Sequence, residues 1–93
     1  RVLFRSLANA AAMGERLATG LRAVPGVAAV RGAGLMLAVE LTGGEAAAVM
    51  AGLRERGVLV NAVTPSALRL VPPLVIDAAQ VDLAVAALAE TLA

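Results

Sequence analysis

Arg69 is the only charge within the apolar run Ala67-Leu68-Arg69-Leu70-Val71-Pro72-Pro73-Leu74-Val75-Ile76. Successive side chains on a strand alternate between faces, so Arg69 projects opposite to Leu68 and Leu70. With those leucines turned towards a core, the guanidinium leaves the far side of the sheet, where its planar fork suits bidentate capture of a carboxylate. On the residues alone, a solvated or salt-bridged strand arginine is the commoner use of such a position, and it stands ahead of a binding role.

Two glycine pairs invite phosphate chemistry and fall short of it. Gly32-Ala33-Gly34 permits close backbone approach, but a dinucleotide loop needs a third glycine opening a helix, and Leu35-Met36-Leu37 continues as a strand. Gly43-Gly44 ahead of a helix presents backbone amides as an anion site does, yet an ordinary turn uses the same residues. The carboxylates Glu40, Glu45, Asp77 and Asp82 fall on separate elements, so none is assigned to acid or base work. Without Cys or His there is no disulfide framework, no zinc site with sulfur or imidazole ligands and no His-based triad. All eight basic residues are Arg, so no lysine Schiff base can form on this chain.

The elements that must position Arg69 follow from periodicity. Leu7, Ala10, Gly14, Leu17, Leu21 and Val24 recur at spacings of three and four, which predicts an amphipathic helix ending near Val24, before Pro25-Gly26. Period two takes over between Val27 and Leu41: Leu35, Leu37, Val39 and Leu41 share one strand face, and Met36, Ala38 and Glu40 the other. Gly32 and Gly34 mark a bulge or tight bend just before it. Ala46, Val49, Met50 and Leu53 form a second helical stripe, with Glu45 in its first turn, Arg54 and Arg56 in its last, and Gly57 as the stop. Val58-Leu59-Val60 reads as a short buried strand, Asn61 to Ser66 as a polar, turn-rich link, and Leu68 to Val71 as a further strand cut off by Pro72-Pro73. Asp77 with Gln80 resembles a capping box, Ile76 can staple onto Val81, and Val81, Ala84, Val85, Leu88 and Leu92 give the last helix its buried stripe. The order predicts an α+β fold: a small, mostly antiparallel sheet with helices on one face.

At 93 residues the chain is one small domain. Its hydrophobic fraction of 60% is led by 23 alanines, and Phe4 is the only aromatic residue, so some apolar surface is expected to seek a partner. A net charge of +1 with scattered arginines carries no nucleic-acid footprint. Apolar runs are broken well short of the roughly 20 residues of a membrane span. Residues 1–6 read as a possible non-native leader, because Val2-Leu3-Phe4-Arg5-Ser6 also translates from a sequencing adapter.

Three segments in order carry a resemblance: Val30-Arg31-Gly32-Ala33-Gly34-Leu35-Met36-Leu37, Gly57-Val58-Leu59-Val60-Asn61, and Leu68-Arg69-Leu70-Val71-Pro72-Pro73-Leu74. Together they resemble the carboxyl-terminal small domain of class III aminotransferases, and within that class the members acting on N-acetylornithine. The resemblance runs from about Ala8 to Ala93, with Met13-Gly14-Glu15 matching the helix that enters this domain.

That resemblance implies a fold-type I, pyridoxal-phosphate-dependent enzyme, cytoplasmic and homodimeric. It would move an amino group between N-acetylornithine and 2-oxoglutarate, a step of arginine biosynthesis. The arginine before the paired prolines binds the substrate α-carboxylate in that family, and by motif match this is Arg69. Arg31, Gly32 and Gly34 match a family motif but are read as shaping the strand. The aldimine lysine and the other cofactor-binding groups of the family lie in a larger preceding domain, so residues 7–93 are expected to be a fragment with no catalytic or cofactor-binding residue of its own and no activity alone. Other class III aminotransferases, acting on ornithine, succinylornithine, 4-aminobutyrate or succinyldiaminopimelate, are the alternatives within the class. A non-catalytic carboxylate-binding α+β module, or a purely structural piece packing on a partner, are the alternatives outside it.

Overall fold

The expected inward row is real: Leu35, Leu37, Val39 and Leu41 are all buried, while Met36 on the opposite face is 67% exposed. The computed structural model of the chain describes residues 2–72 and 76–93, with side chains from Leu7 onward. Its elements are α1 (Val2–Arg22), β1 (Val27–Ala33), β2 (Met36–Leu41), α2 (Ala46–Glu55), β3 (Asn61–Thr64), β4 (Ala67–Leu70) and α3 (Ala78–Leu92). Pro73 and Leu74 of the third motif, and Val75 after them, lie outside the described residues.

The four strands form one antiparallel sheet in the order β1-β2-β4-β3, so two hairpins meet along the central pair. Helix α1 packs on β1 and β2, α2 packs on β3 and β4, and α3 packs against both helices. Leu17, Leu21, Val39, Leu68 and Val81 are its largest fully enclosed side chains, and no polar or charged residue is buried among those described. The α+β fold with helices on one sheet face is as expected, and none of the described helices packs on the other face.

Local chemistry explains most boundaries. In α1, Ala23 N–H bonds the Gly20 carbonyl at 3.2 Å and Val24 N–H that of Leu21 at 3.1 Å, a tightened last turn that ends the regular helix two residues before Val24. Its stripe holds for Ala10, Gly14, Leu17, Leu21 and Val24, whereas Leu7 is 52% exposed. The α2 terminus is a Schellman motif: Gly57, at φ 81°, donates to Arg54 O at 3.0 Å, and Val58 donates to Leu53 O at 2.8 Å. In α3 the capping box closes from both sides, Gln80 N–H to Asp77 Oδ1 at 2.8 Å and Asp77 N–H to Gln80 Oε1 at 3.0 Å.

Three expectations need correction. Val58-Leu59-Val60 is not a buried strand: the helix cap takes the Val58 N–H, and Leu59 is 79% exposed. The strand is instead Asn61–Thr64, within the segment read as a link. It borders β4 alone, and an edge strand open on one side accepts the polar residues that disguise it. Glu45 is the N-cap of α2 rather than a first-turn residue, and its side chain makes no capping hydrogen bond. The tight bend expected at Gly32 to Gly34 is present as a two-residue hairpin turn, Gly34-Leu35, enclosed by the pair Ala33 and Met36, while the register shift lies earlier, between Val27 and Ala29.

Candidate carboxylate-binding face

Arg69 sits in the middle of β4, with Leu68 and Leu70 buried beneath it and its own side chain on the open face. Register places it beside Ala38 of β2, which in turn faces Arg31 of β1, and beside Asn61 of β3 on the other side. One row, Arg31-Ala38-Arg69-Asn61, therefore crosses the whole sheet. The two arginines flank a methyl group, with about 10 Å between their strands from ordinary strand spacing.

Arg31, Gly32, Met36, Leu37, Ala38 and Arg69 line a shallow depression of about 230 Å³ between them. The glycine keeps its rim close: a Cβ on Gly32 would strike the Met36 carbonyl of the facing strand. Gly34, at φ 56°, takes the first turn position where a left-handed residue suits the twist of a tight hairpin. That turn fixes the register, and the register sets Arg31 level with Arg69.

Each charge on this face has a defined partner or none. Glu40, in the next row of β2, accepts from Arg31 Nη2 at 3.3 Å through Oε1 and from the Ser66 hydroxyl at 2.9 Å through Oε2. Arg69 makes no ion pair and no side-chain hydrogen bond with any described residue. An exposed guanidinium whose donors are unspent among the described residues, beside a concavity, is what a carboxylate ligand requires.

The remaining candidates do not join it. Glu45, Asp77 and Asp82 lie on helices away from this face, Asp77 in its cap and Asp82 in an ion pair with Arg16 at 2.7 Å. A second cavity, about 660 Å³, lies between α3 and the segment after α2. Its only charged lining residues, Arg56 and Glu90, satisfy each other at 3.4 Å. Among the described residues no cluster of His, Cys, Asp or Glu could hold a metal ion, and no helix is long and apolar enough to cross a membrane. Sequence reasoning missed Ser66 as a member of the face and gave Glu40, which it placed outward, no partner there. Period two put Glu40 on the same side as Arg69, but only the cross-strand register shows which residues meet.

Comparison with known proteins finds this fold within longer chains. The family model for aminotransferase class III matches residues 5–92. The acetylornithine aminotransferase of Bifidobacterium longum is 49% identical over 84 residues, 88% of this chain and 20% of the relative. The ornithine aminotransferase of Bordetella pertussis is 47% identical over 88 residues, 91% of this chain and 21% of the relative. Among solved structures, an (S)-enantioselective omega-transaminase from Thermomicrobium roseum superposes with a TM-score of 0.81 at 33% identity, covering 98% of this chain and 23% of its own. The chain thus spans about a fifth of the length of the curated relatives it matches. By family model, sequence relatives and fold together, the chain belongs to the class III aminotransferases.

Proposed function

We propose that residues 7–93 are the carboxyl-terminal small domain of an aminotransferase of the acetylornithine type, and that Arg69 holds the α-carboxylate of its substrates. In this reading the whole enzyme moves an amino group between N-acetylornithine and 2-oxoglutarate, in arginine biosynthesis, as a cytoplasmic homodimer. The observation that carries it is Arg69 itself: a guanidinium unpaired among the described residues, on the open sheet face and on the rim of the depression next to Ala38. Bound there, a carboxylate accepts two parallel N–H bonds, which fixes the orientation of the α-carbon without moving a proton.

The family's cofactor is pyridoxal phosphate, and the residues of this chain do not fit it. There is no lysine to bond it covalently, and the only aromatic residue is Phe4, in the first turns of α1. The reading therefore assigns the cofactor to a larger domain of the same protein. It also predicts that residues 7–93, purified alone and supplied with pyridoxal phosphate, transfer no amino group.

The name of the Bordetella relative favours a second reading, with ornithine as the donor. Initial rates of 2-oxoglutarate amination by the full-length protein decide between them, with N-acetylornithine, ornithine, succinylornithine and 4-aminobutyrate offered in turn. The first reading expects N-acetylornithine to give the highest kcat/KM. A preference for ornithine selects the second, and no transamination from any donor overturns both.

A further inference from the structure

Glu40 lies between two arginines and serves only one of them. In the register, Ala38 faces Arg31 on one side and Arg69 on the other, and Glu40 stands two residues further along the same face of β2. It is therefore the diagonal neighbour of both arginines, at a separation that long side chains on a sheet can span. Its Oε1 accepts from Arg31 at 3.3 Å and its Oε2 from Ser66 at 2.9 Å, with none of its acceptors directed to Arg69. The carboxylate is also the more enclosed partner, at 29% side-chain exposure against 65% for Arg31.

We infer that Arg31 is a positioning residue: by engaging Glu40 it keeps that carboxylate off Arg69, so the Arg69 guanidinium stays open for substrate. This rests on the reading of Arg69 as the carboxylate-binding group. Without Arg31, Oε1 of Glu40 loses its cation, and Arg69 is the next one within diagonal reach. An internal carboxylate on Arg69 competes directly with the substrate carboxylate, so the cost falls on KM for both the amino donor and the 2-oxo acid. Arg31 borders the depression, but its guanidinium is engaged by Glu40, and neither side chain holds the substrate carboxylate or takes part in the chemistry, so kcat at saturation is spared.

The test is a double-mutant cycle in the full-length enzyme, reading KM and kcat for 2-oxoglutarate and the amino donor. Arg31→Met should raise both KM values about fivefold, the scale of one competing ion pair, with kcat within about twofold. Glu40→Gln alone should change KM by less than about twofold, since Arg31 already neutralises it, while Arg31→Met/Glu40→Gln should return KM to within about twofold of the parent. That non-additive rescue separates internal competition from a plain loss of positive potential, which would give Glu40→Gln the same factor in both backgrounds. Equal factors, or no KM change in Arg31→Met, overturn the inference and leave the Arg69 reading intact. If Arg69→Met leaves KM unchanged, the underlying reading fails instead.

Discussion

Gly14 of α1 lies so close to Gly34 of the β1–β2 turn that a Cβ on Gly14 would strike the Gly34 carbonyl oxygen. The helix thereby braces the hairpin that sets Arg31 level with Arg69. Alanine is the better helix former by about 1 kcal/mol, so sequence propensity alone favours replacing Gly14. Backbone cannot move aside as a side chain can, and overpacking costs about 1–3 kcal/mol. Gly14→Ala should therefore lower the urea midpoint of the protein. Gly20→Ala, whose new methyl meets only the branch of Val85, should lower it less. Equal losses would show that the close approach at Gly34 carries no special constraint.

The Asp77 cap gives a second stability test. Asp77→Ala removes the acceptor for the Gln80 N–H and should cost about 1 kcal/mol in urea denaturation, while Asp77→Asn, which keeps an acceptor oxygen, should stay within a few tenths. Both Ile76 and Val81 are buried in the common core, so fraying here loosens the start of α3. A loss as large for Asn as for Ala would remove the cap from the explanation.

Helix α1 is tied to α3 by a two-pronged contact, Arg16 Nε to Asp82 Oδ1 at 2.9 Å and Nη2 to Oδ2 at 2.7 Å. These hydrogen bonds, opposed by desolvation and aided by the Arg16 charge, hold the Asp82 carboxyl below its ordinary value. A carboxyl with a depressed folded pKa adds stability that is present above its ordinary value of about 4 and is lost as pH falls through the folded value. Stability should therefore decline on acidification below about pH 4, and Asp82→Asn should flatten that part of the profile. Both side chains are exposed, so the effect is small and should shrink further in high salt. An unchanged acid limb in Asp82→Asn would count against the pair.

How much of this was legible in the sequence follows the range of each interaction. The α3 cap, the α2 stop at Gly57 and the inward leucines of β2 depend on residues within a few positions, and periodicity or capping chemistry located them. Strand β3 was hidden, because Asn61 and Thr64 read as loop while Val58-Leu59-Val60 read as strand. Edge position and the Schellman cap, both products of the tertiary fold, reverse that choice. Likewise Arg69 was visible as a charge in an apolar run, but its lack of a described partner was not. That depends on Glu40 being held by Arg31 and Ser66, groups 9 and 26 residues away along the chain.

The central claim is that Arg69 binds the substrate carboxylate, and its most direct test is Arg69→Ala in the full-length enzyme. Two charge-assisted hydrogen bonds, about 1.5–3 kcal/mol each, are lost with the guanidinium. The account predicts that kcat/KM for both the amino donor and 2-oxoglutarate falls on the order of a hundredfold or more. A fall of less than about threefold for both substrates would contradict it, because a carboxylate clamp cannot be removed at so small a cost.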